Sequence, residues 1–333
     1  MATLSNTALT LVDWAKRKDP DGKIPVVAEL LSQENQVLSD MLFKEGNLET
    51  GERVTIRTGL PTAYWRALNT GVPSSKSTTT QVDEGVGMLE AYARVDVDLA
   101  DLNGNSAAFR ASEDVAFLES MNQTQVGTLF YGNVATNPAG YTGLSTRYGT
   151  ISGAGNAQNI LDAGGTASNN TSIWLVGWGE NSVYGVFPKG SQAGLKRTDQ
   201  GQLTAYDANG NPMQVLQTHY QWKNGLVVKD WRNAVRICNI NTANLVAQSA
   251  AADIITLMSR SLDRLYSSNI KPAFYMNRTV YSMLRVQALN KSNYALSIES
   301  GLNQFGTASN WLSFQGVPIR RVDQLLNTEA RVV

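Results

Sequence analysis

The sequence predicts an α+β protein whose strands and helices fall in separate blocks. Three observations carry this: one long helical period between about Asn105 and Tyr131, a strand-rich block at 172–240, and no internal repeat of fixed period. With 333 residues, of which 42% are apolar, the chain can fill the core of one large domain or two small ones.

Residues 1 to 50 mix short amphipathic pieces such as Val26-Val27-Ala28-Glu29-Leu30-Leu31 with breakers at Pro20, Asp21-Gly22 and Pro25. This reads as an extended arm carrying one short helix. From Glu52 the pattern alternates, Val54 and Ile56 against Arg53, Thr55 and Arg57, and a second alternating run covers Tyr92 to Asp98. Two strands of a hairpin are expected, joined by about 30 residues, far beyond the usual two to five. The connection holds Leu60-Pro61, Asn69-Thr70-Gly71, Val72-Pro73 and the polar run Ser74 to Thr80.

In the long helix Ala108, Ala111, Val115, Leu118, Val126 and Leu129 recur at helical spacing, with Asn122 interrupting the face. Val115 and Leu118 are expected to pack on the sheet and Glu119 to lie on the polar side. Asn105 and Ser106 suit the N-cap and Gly132-Asn133 the stop, giving a rod of roughly 40 Å at about 1.5 Å per residue. Residues 133–171 are rich in Gly, Asn and Ser and read as loops around a short helix near Ile160-Leu161. Strands follow at Ile173–Val176, Val183–Phe187, Leu226–Val228 and Ala234–Ile237, with Asn209-Gly210 as a hairpin turn, so a mostly antiparallel sheet is expected. A second helix is predicted from Leu245 to Tyr266, ended by Asn269. Pro272–Met276 then reads as a buried strand, Asn277 as the cap of a helix bearing Val280, Leu284 and Ala288, and Val317–Val322 as the last strand.

Composition excludes several functions. Lys+Arg and Asp+Glu number 28 each, so no strong field steers the chain to nucleic acid or membrane. Only 17% of residues are charged, below the roughly 25% of ordinary domains, and such a surface suits contact with other protein. A single cysteine, Cys238, makes no internal disulfide and points to a reducing compartment. With His219 the one histidine, imidazole-based catalytic and zinc sites lack a second ligand. No cleaved signal or membrane-spanning run is visible. No catalytic, cofactor-binding or metal residue is expected.

Short motifs carry bland readings. Gly153-Ala154-Gly155 lacks the third glycine and the ribose acid of a dinucleotide loop. Asp207-Ala208-Asn209-Gly210-Asn211 lacks the bidentate Glu of a calcium loop and suits a hairpin turn. His219 in a strand-like run reads as structural. Glu180, beside Trp178, has the chemistry of one member of a glycosidase carboxylate pair but no nameable partner, and the seven tryptophans read as core and interface residues before sugar platforms. Lys76 on the long loop can reach a neighbour, yet a lysine needs desolvation to become nucleophilic, so a solvated amine is expected.

Two segments resemble one family. Pro272-Ala273-Phe274-Tyr275-Met276-Asn277-Arg278-Thr279 followed by Leu284-Arg285, then Phe314-Gln315-Gly316-Val317-Pro318-Ile319, resemble the C-terminal half of tailed-bacteriophage major capsid proteins with the HK97-type fold. The stretch Trp174 to Asn181 through Phe187 to Ser191, continued by Tyr220-Gln221-Trp222 and Asp230-Trp231-Arg232, is similar to members from short-tailed phages. The resemblance implies an N-terminal arm at 1–51, an extended hairpin loop at 52–98 that overlaps a neighbouring subunit, a spine helix at 103–132, and peripheral and axial domains around antiparallel sheets at 133–333. It implies a non-enzymatic homo-oligomer, pentamers and hexamers of an icosahedral shell around double-stranded DNA touched weakly and non-specifically. Further implied partners are a portal protein, a decoration (cement) protein and, since only about 50 residues precede the hairpin, a separate scaffolding protein. The expected location is the virion, after assembly in the bacterial cytoplasm. Tyr64, Trp65, Arg66, Lys76 and Glu119 are the candidate inter-subunit contacts. The competing reading is a carbohydrate-binding or carbohydrate-active protein using the Trp-rich sheet. A balanced charge suits a shell wall, because each phosphate contact would add salt-dependent grip on the genome.

Overall fold

Every residue of one strand, Asn170–Trp178, is buried, which requires neighbours on both edges and cover on both faces. The computed structural model supplies them; it describes residues 33–102, 106–153, 155–206, 209–266, 269–290, 296–302 and 308–333. The helix expected at Val26–Leu31, Asn105, Ala154, Asp207 and Ala208 lie outside these residues.

In chain order the elements are α1 (Val37–Asp40), β1 (Phe43–Glu45), β2 (Gly51–Gly59), β3 (Thr78–Gly85), β4 (Gly87–Asp96), α2 (Val97–Asp101), α3 (Ser106–Tyr131) and α4 (Leu144–Arg147). A 3-10 turn at Gly155–Asn159 leads to β5 (Ile160–Asp162), β6 (Asn170–Trp178), β7 (Val183–Phe187), β8 (Leu195–Tyr206), β9 (Pro212–Val228) and β10 (Ala234–Asn241). Last come α5 (Thr242–Ala247), α6 (Ile254–Leu262), β11 (Lys271–Met276), α7 (Arg278–Asn290), β12 (Leu296–Leu302), β13 (Ala308–Phe314) and β14 (Val317–Arg321).

β6 pairs with β10 and β11, both antiparallel. Its alternate side chains enter two cores, as strand geometry demands. Trp174, Val176 and Trp178 face Val126, Leu129 and Phe130 of α3, while Ile173 and Leu175 face Ile254 and Met258 of α6 and Val280 and Leu284 of α7. The body is therefore helix, sheet, helix. Among the described residues eight of the twelve strand pairings are antiparallel. β9, with 17 residues, leaves the body: Gly225–Val228 pairs with β7, whereas 212–224 runs outward between β4 and β8. This wing is covered by α3 from Phe109 to Met121, where Phe109 meets Val95 and Ala100, and Met121 meets Ala93 and Tyr220. At 26 residues and about 1.5 Å each, α3 spans about 39 Å and joins wing to body. It stops at Gly132, where a Cβ would collide with the Tyr141 carbonyl oxygen.

Several expectations need correction. The partner of β2 is β3, not the Tyr92 run; that run lies in β4 and pairs with β9, and Val97 and Asp98 are helical. The polar Thr78-Thr79-Thr80 run is thus strand, in keeping with the β preference of threonine. Of the expected arm, residues 33–51 are built into the body: Val37 and Met41 are core residues and β1 pairs with β7. Ile160-Leu161 form β5 beside β10 rather than a helix. The helix expected over 245–266 is two helices, because Gln248 ends α5 in the left-handed region (φ 52°) and the Asp253 side chain caps α6 by accepting the Thr256 N–H. In α3, Val126 and Leu129 are buried as expected, but Val115 and Leu118 on the same face are 46% and 37% exposed. There the helix has passed beyond the body, and its contact with the wing is made a quarter-turn round, by Phe109, Asp114, Phe117 and Met121.

A buried ion pair closes the structure. Arg236 Nη2 on β10 donates to Glu329 Oε2 at 2.9 Å, Nη1 to the Tyr148 carbonyl at 2.8 Å and Nε to Ser172 Oγ at 3.1 Å. Glu329 also accepts the Tyr131 hydroxyl from the end of α3, and proximity to that carboxylate, after burial itself, pushes the phenol far above its ordinary range. Removing one partner strands the other charge. Glu329→Ala is expected to cost about 3–5 kcal/mol in urea unfolding, and Arg236→Met with Glu329→Leu to recover most of it.

Candidate interaction surface

β2 and β3 form a two-stranded ribbon separate from the large sheet. Its base is fixed. Val54 packs on Tyr184, Val186 and Val227, and Glu84 takes both Arg147 terminal nitrogens at 2.6 Å, the fork geometry that a guanidinium holds best. Between these two anchors Arg53 pairs with Asp83 across the strands. Between the strands lie residues 60–77, which project as a tip. Asn69 (φ 66°) makes its turn, with the Thr70 hydroxyl on the Ala67 carbonyl and the Ser75 hydroxyl on the Thr62 carbonyl.

The tip is apolar where water meets it. Leu60 is 80% exposed, Trp65 103% and Leu68 93%, with Tyr64 and Val72 about half exposed. A monomer has no use for such a group of side chains, and patches of this kind mark contact surfaces. Of the sequence candidates, Tyr64, Trp65, Arg66 and Lys76 sit together on the tip and are exposed. Glu119 does not join them; on α3 it accepts the Gln33 N–H at 2.9 Å and the Gln123 amide at 2.8 Å. Leu60, Leu68 and Val72 were missed by sequence reasoning, though apolar residues in a Pro/Gly/Ser-rich run that fit neither the helical nor the strand period were the available signal.

Elsewhere the chemistry is structural. A cleft of about 560 Å³ is lined by Asp40, Trp178, Glu180 and Lys271. The Asp40 carboxylate is taken by Arg320 at 3.1 and 3.2 Å and by the Tyr275 hydroxyl at 3.0 Å. Trp174 and Trp178 are core residues, packed with Phe130, Tyr148 and Tyr275. His219 stacks on Tyr92 at 4.5 Å and lies 3.5 Å from Glu90. Gly155 begins a 3-10 turn, and β8 and β9 are the hairpin expected around Asn209-Gly210. Among the described residues no group of three His, Cys, Asp or Glu is placed to hold a metal, and no helix is long and apolar enough to cross a membrane.

A family model described as "Major capsid protein GP7" matches residues 19–333. The chain belongs to this family. A chain of the near-atomic-resolution structure of bacteriophage Epsilon15 is 31% identical and superposes with a TM-score of 0.77, over 100% of this chain and 99% of that one. The bacteriophage JBD30 capsid (8% identity, TM-score 0.49, covering 90% and 95%) and the capsid of an empty GTA particle (9%, 0.44, covering 69% and 97%) are also similar, but neither contributes to the assignment. No curated protein matches. The fold is thus the α+β, HK97-like one, and the chain is a tailed-phage major capsid protein that forms the icosahedral shell. The carbohydrate reading has no support: Trp174 and Trp178, the tryptophans nearest Glu180 in the chain, are interior.

Cys238 completes the picture of an inert interior. It is buried, and burial pushes its thiol up to about 12. At pH 8 almost no thiolate forms. Native subunits are expected to give no signal with a thiol reagent over hours and one equivalent after denaturation; rapid reaction of the native chain would contradict this burial.

Proposed function

We propose that the subunit assembles into pentamers and hexamers, and that the β2–β3 ribbon is the extended loop through which each copy grips the next. The observation that carries this reading is the apolar tip on a two-stranded ribbon whose base alone is anchored. Full burial of a large apolar side chain contributes about 1.5–3 kcal/mol, and contact energy concentrates in a few aromatic and aliphatic anchors. Trp65 and Leu68 are those anchors, and Arg66 and Lys76 form a polar rim. The remaining assignments follow the resemblance: the residues before Gln33 as arm, 103–132 as spine, 133–333 as peripheral and axial domains. Double-stranded DNA, weakly touched because the chain carries no net charge, fills the shell. Scaffolding, portal and decoration proteins are its partners, the bacterial cytoplasm is its place of assembly, and it turns over no substrate.

Replacing residues 60–77 by a two-residue turn is expected to leave the melting temperature unchanged and to abolish particles in negative-stain micrographs. Trp65→Ser with Leu68→Ser is expected to raise the subunit concentration needed for assembly at least tenfold, about 1.4 kcal/mol. Normal particles from the shortened chain would remove the ribbon from assembly.

A further inference from the structure

The N-terminal half of α3 leaves an apolar stripe bare. Ala111, Val115 and Leu118 stand at four- and three-residue steps, hence on one helix face, and all three are exposed. Farther along, the same face is buried at Val126 and Leu129. The stripe is thus a continuation of the core surface with its cover absent from the described residues. One turn beyond Val115, Glu119 accepts the Gln33 N–H at 2.9 Å. Gln324 holds the Gln33 side chain at 2.7 Å and Asn35 bridges to Val322, so the described chain begins pinned beside the stripe.

The residues leading into Gln33 are Val26-Val27-Ala28-Glu29-Leu30-Leu31-Ser32. Leu31 and Leu30 lie two and three residues from Gln33, within about 7 to 11 Å at full extension. Val115 lies about 6 Å along the helix axis from Glu119. The stripe is therefore within the reach of these leucines. We propose that the Ala111, Val115 and Leu118 stripe is the seat of the chain's own Val26–Leu31 segment, covered in cis. A second copy competes poorly, because a short tether holds its own segment at millimolar effective concentration. The apolar character of the stripe is matched by the segment, five of the six residues from Val26 to Leu31 being apolar.

The test uses the full chain, whose one native thiol is buried. Under mild oxidation of dilute, unassembled subunit, Leu30→Cys with Val115→Cys is expected to form an intrachain disulfide at least tenfold faster than Leu30→Cys with Ser120→Cys, Ser120 being exposed on the opposite side of the helix. A second reading needs no disulfide. The thiol introduced by Val115→Cys alone is expected to alkylate at least fivefold faster when Leu30→Ser and Leu31→Ser are added. Interchain disulfides in place of intrachain ones, a rate equal to that of the Ser120 pair, or an alkylation rate unmoved by the serines would each overturn the proposal.

Discussion

The buried pairing of Arg236 with Glu329 is the constraint on which the other parts converge. Glu329 belongs to the C-terminal segment, Arg236 to β10, Ser172 to β6, Tyr131 to the last turn of α3, and Tyr148 follows α4 directly. Two desolvated charges are tolerable only when their hydrogen-bonding groups are met, so the network accepts one arrangement of these five segments and penalises others. The neighbouring residue extends it outward. Arg147, next to Tyr148, holds Glu84 at the root of the ribbon. A continuous set of charge-assisted contacts therefore runs from the C-terminal segment to the base of the projecting hairpin.

That arrangement separates two tasks. The body, with Trp174, Phe130 and Tyr275 fully buried, supplies stability, while in the proposed assembly the tip, with Trp65 and Leu68 in water, supplies attraction between copies. The separation has a physical benefit, because side chains that wait for a partner add nothing to the fold of the isolated subunit, and those that build the fold are unavailable to a partner. Rigid anchoring of the ribbon at Glu84 and Val54 limits the conformational freedom lost when the tip docks.

Much of the fold was legible in the sequence where local chemistry decides it. β7 falls on Val183–Phe187 as its run of β-branched and aromatic residues predicts, Asn277 caps α7 by accepting the Thr279 N–H, and α3 ends at Tyr131 before Gly132. What escaped depends on partners distant in sequence. Nothing local states that β2 pairs with Thr78–Gly85 in place of the better-patterned Tyr92 run. The bare stripe on α3 escaped because polar Asp114 is buried against Arg197 on the wing side while Val115 and Leu118 of the apolar face extend past the body. At the tip, Tyr64, Trp65, Arg66 and Lys76 were readable as members of an unusually long connection, whereas Glu119 could not be recognised as an internal partner of Gln33 without the fold.

The central claim is that the tip is bare in the subunit and covered in the shell. Hydroxyl-radical footprinting read by mass spectrometry tests it, comparing free subunits with assembled particles. Trp65 is expected to oxidise rapidly in the subunit and to be protected at least tenfold in particles, while Trp174 and Trp178 stay protected in both. Equal oxidation of Trp65 in the two states would contradict the account.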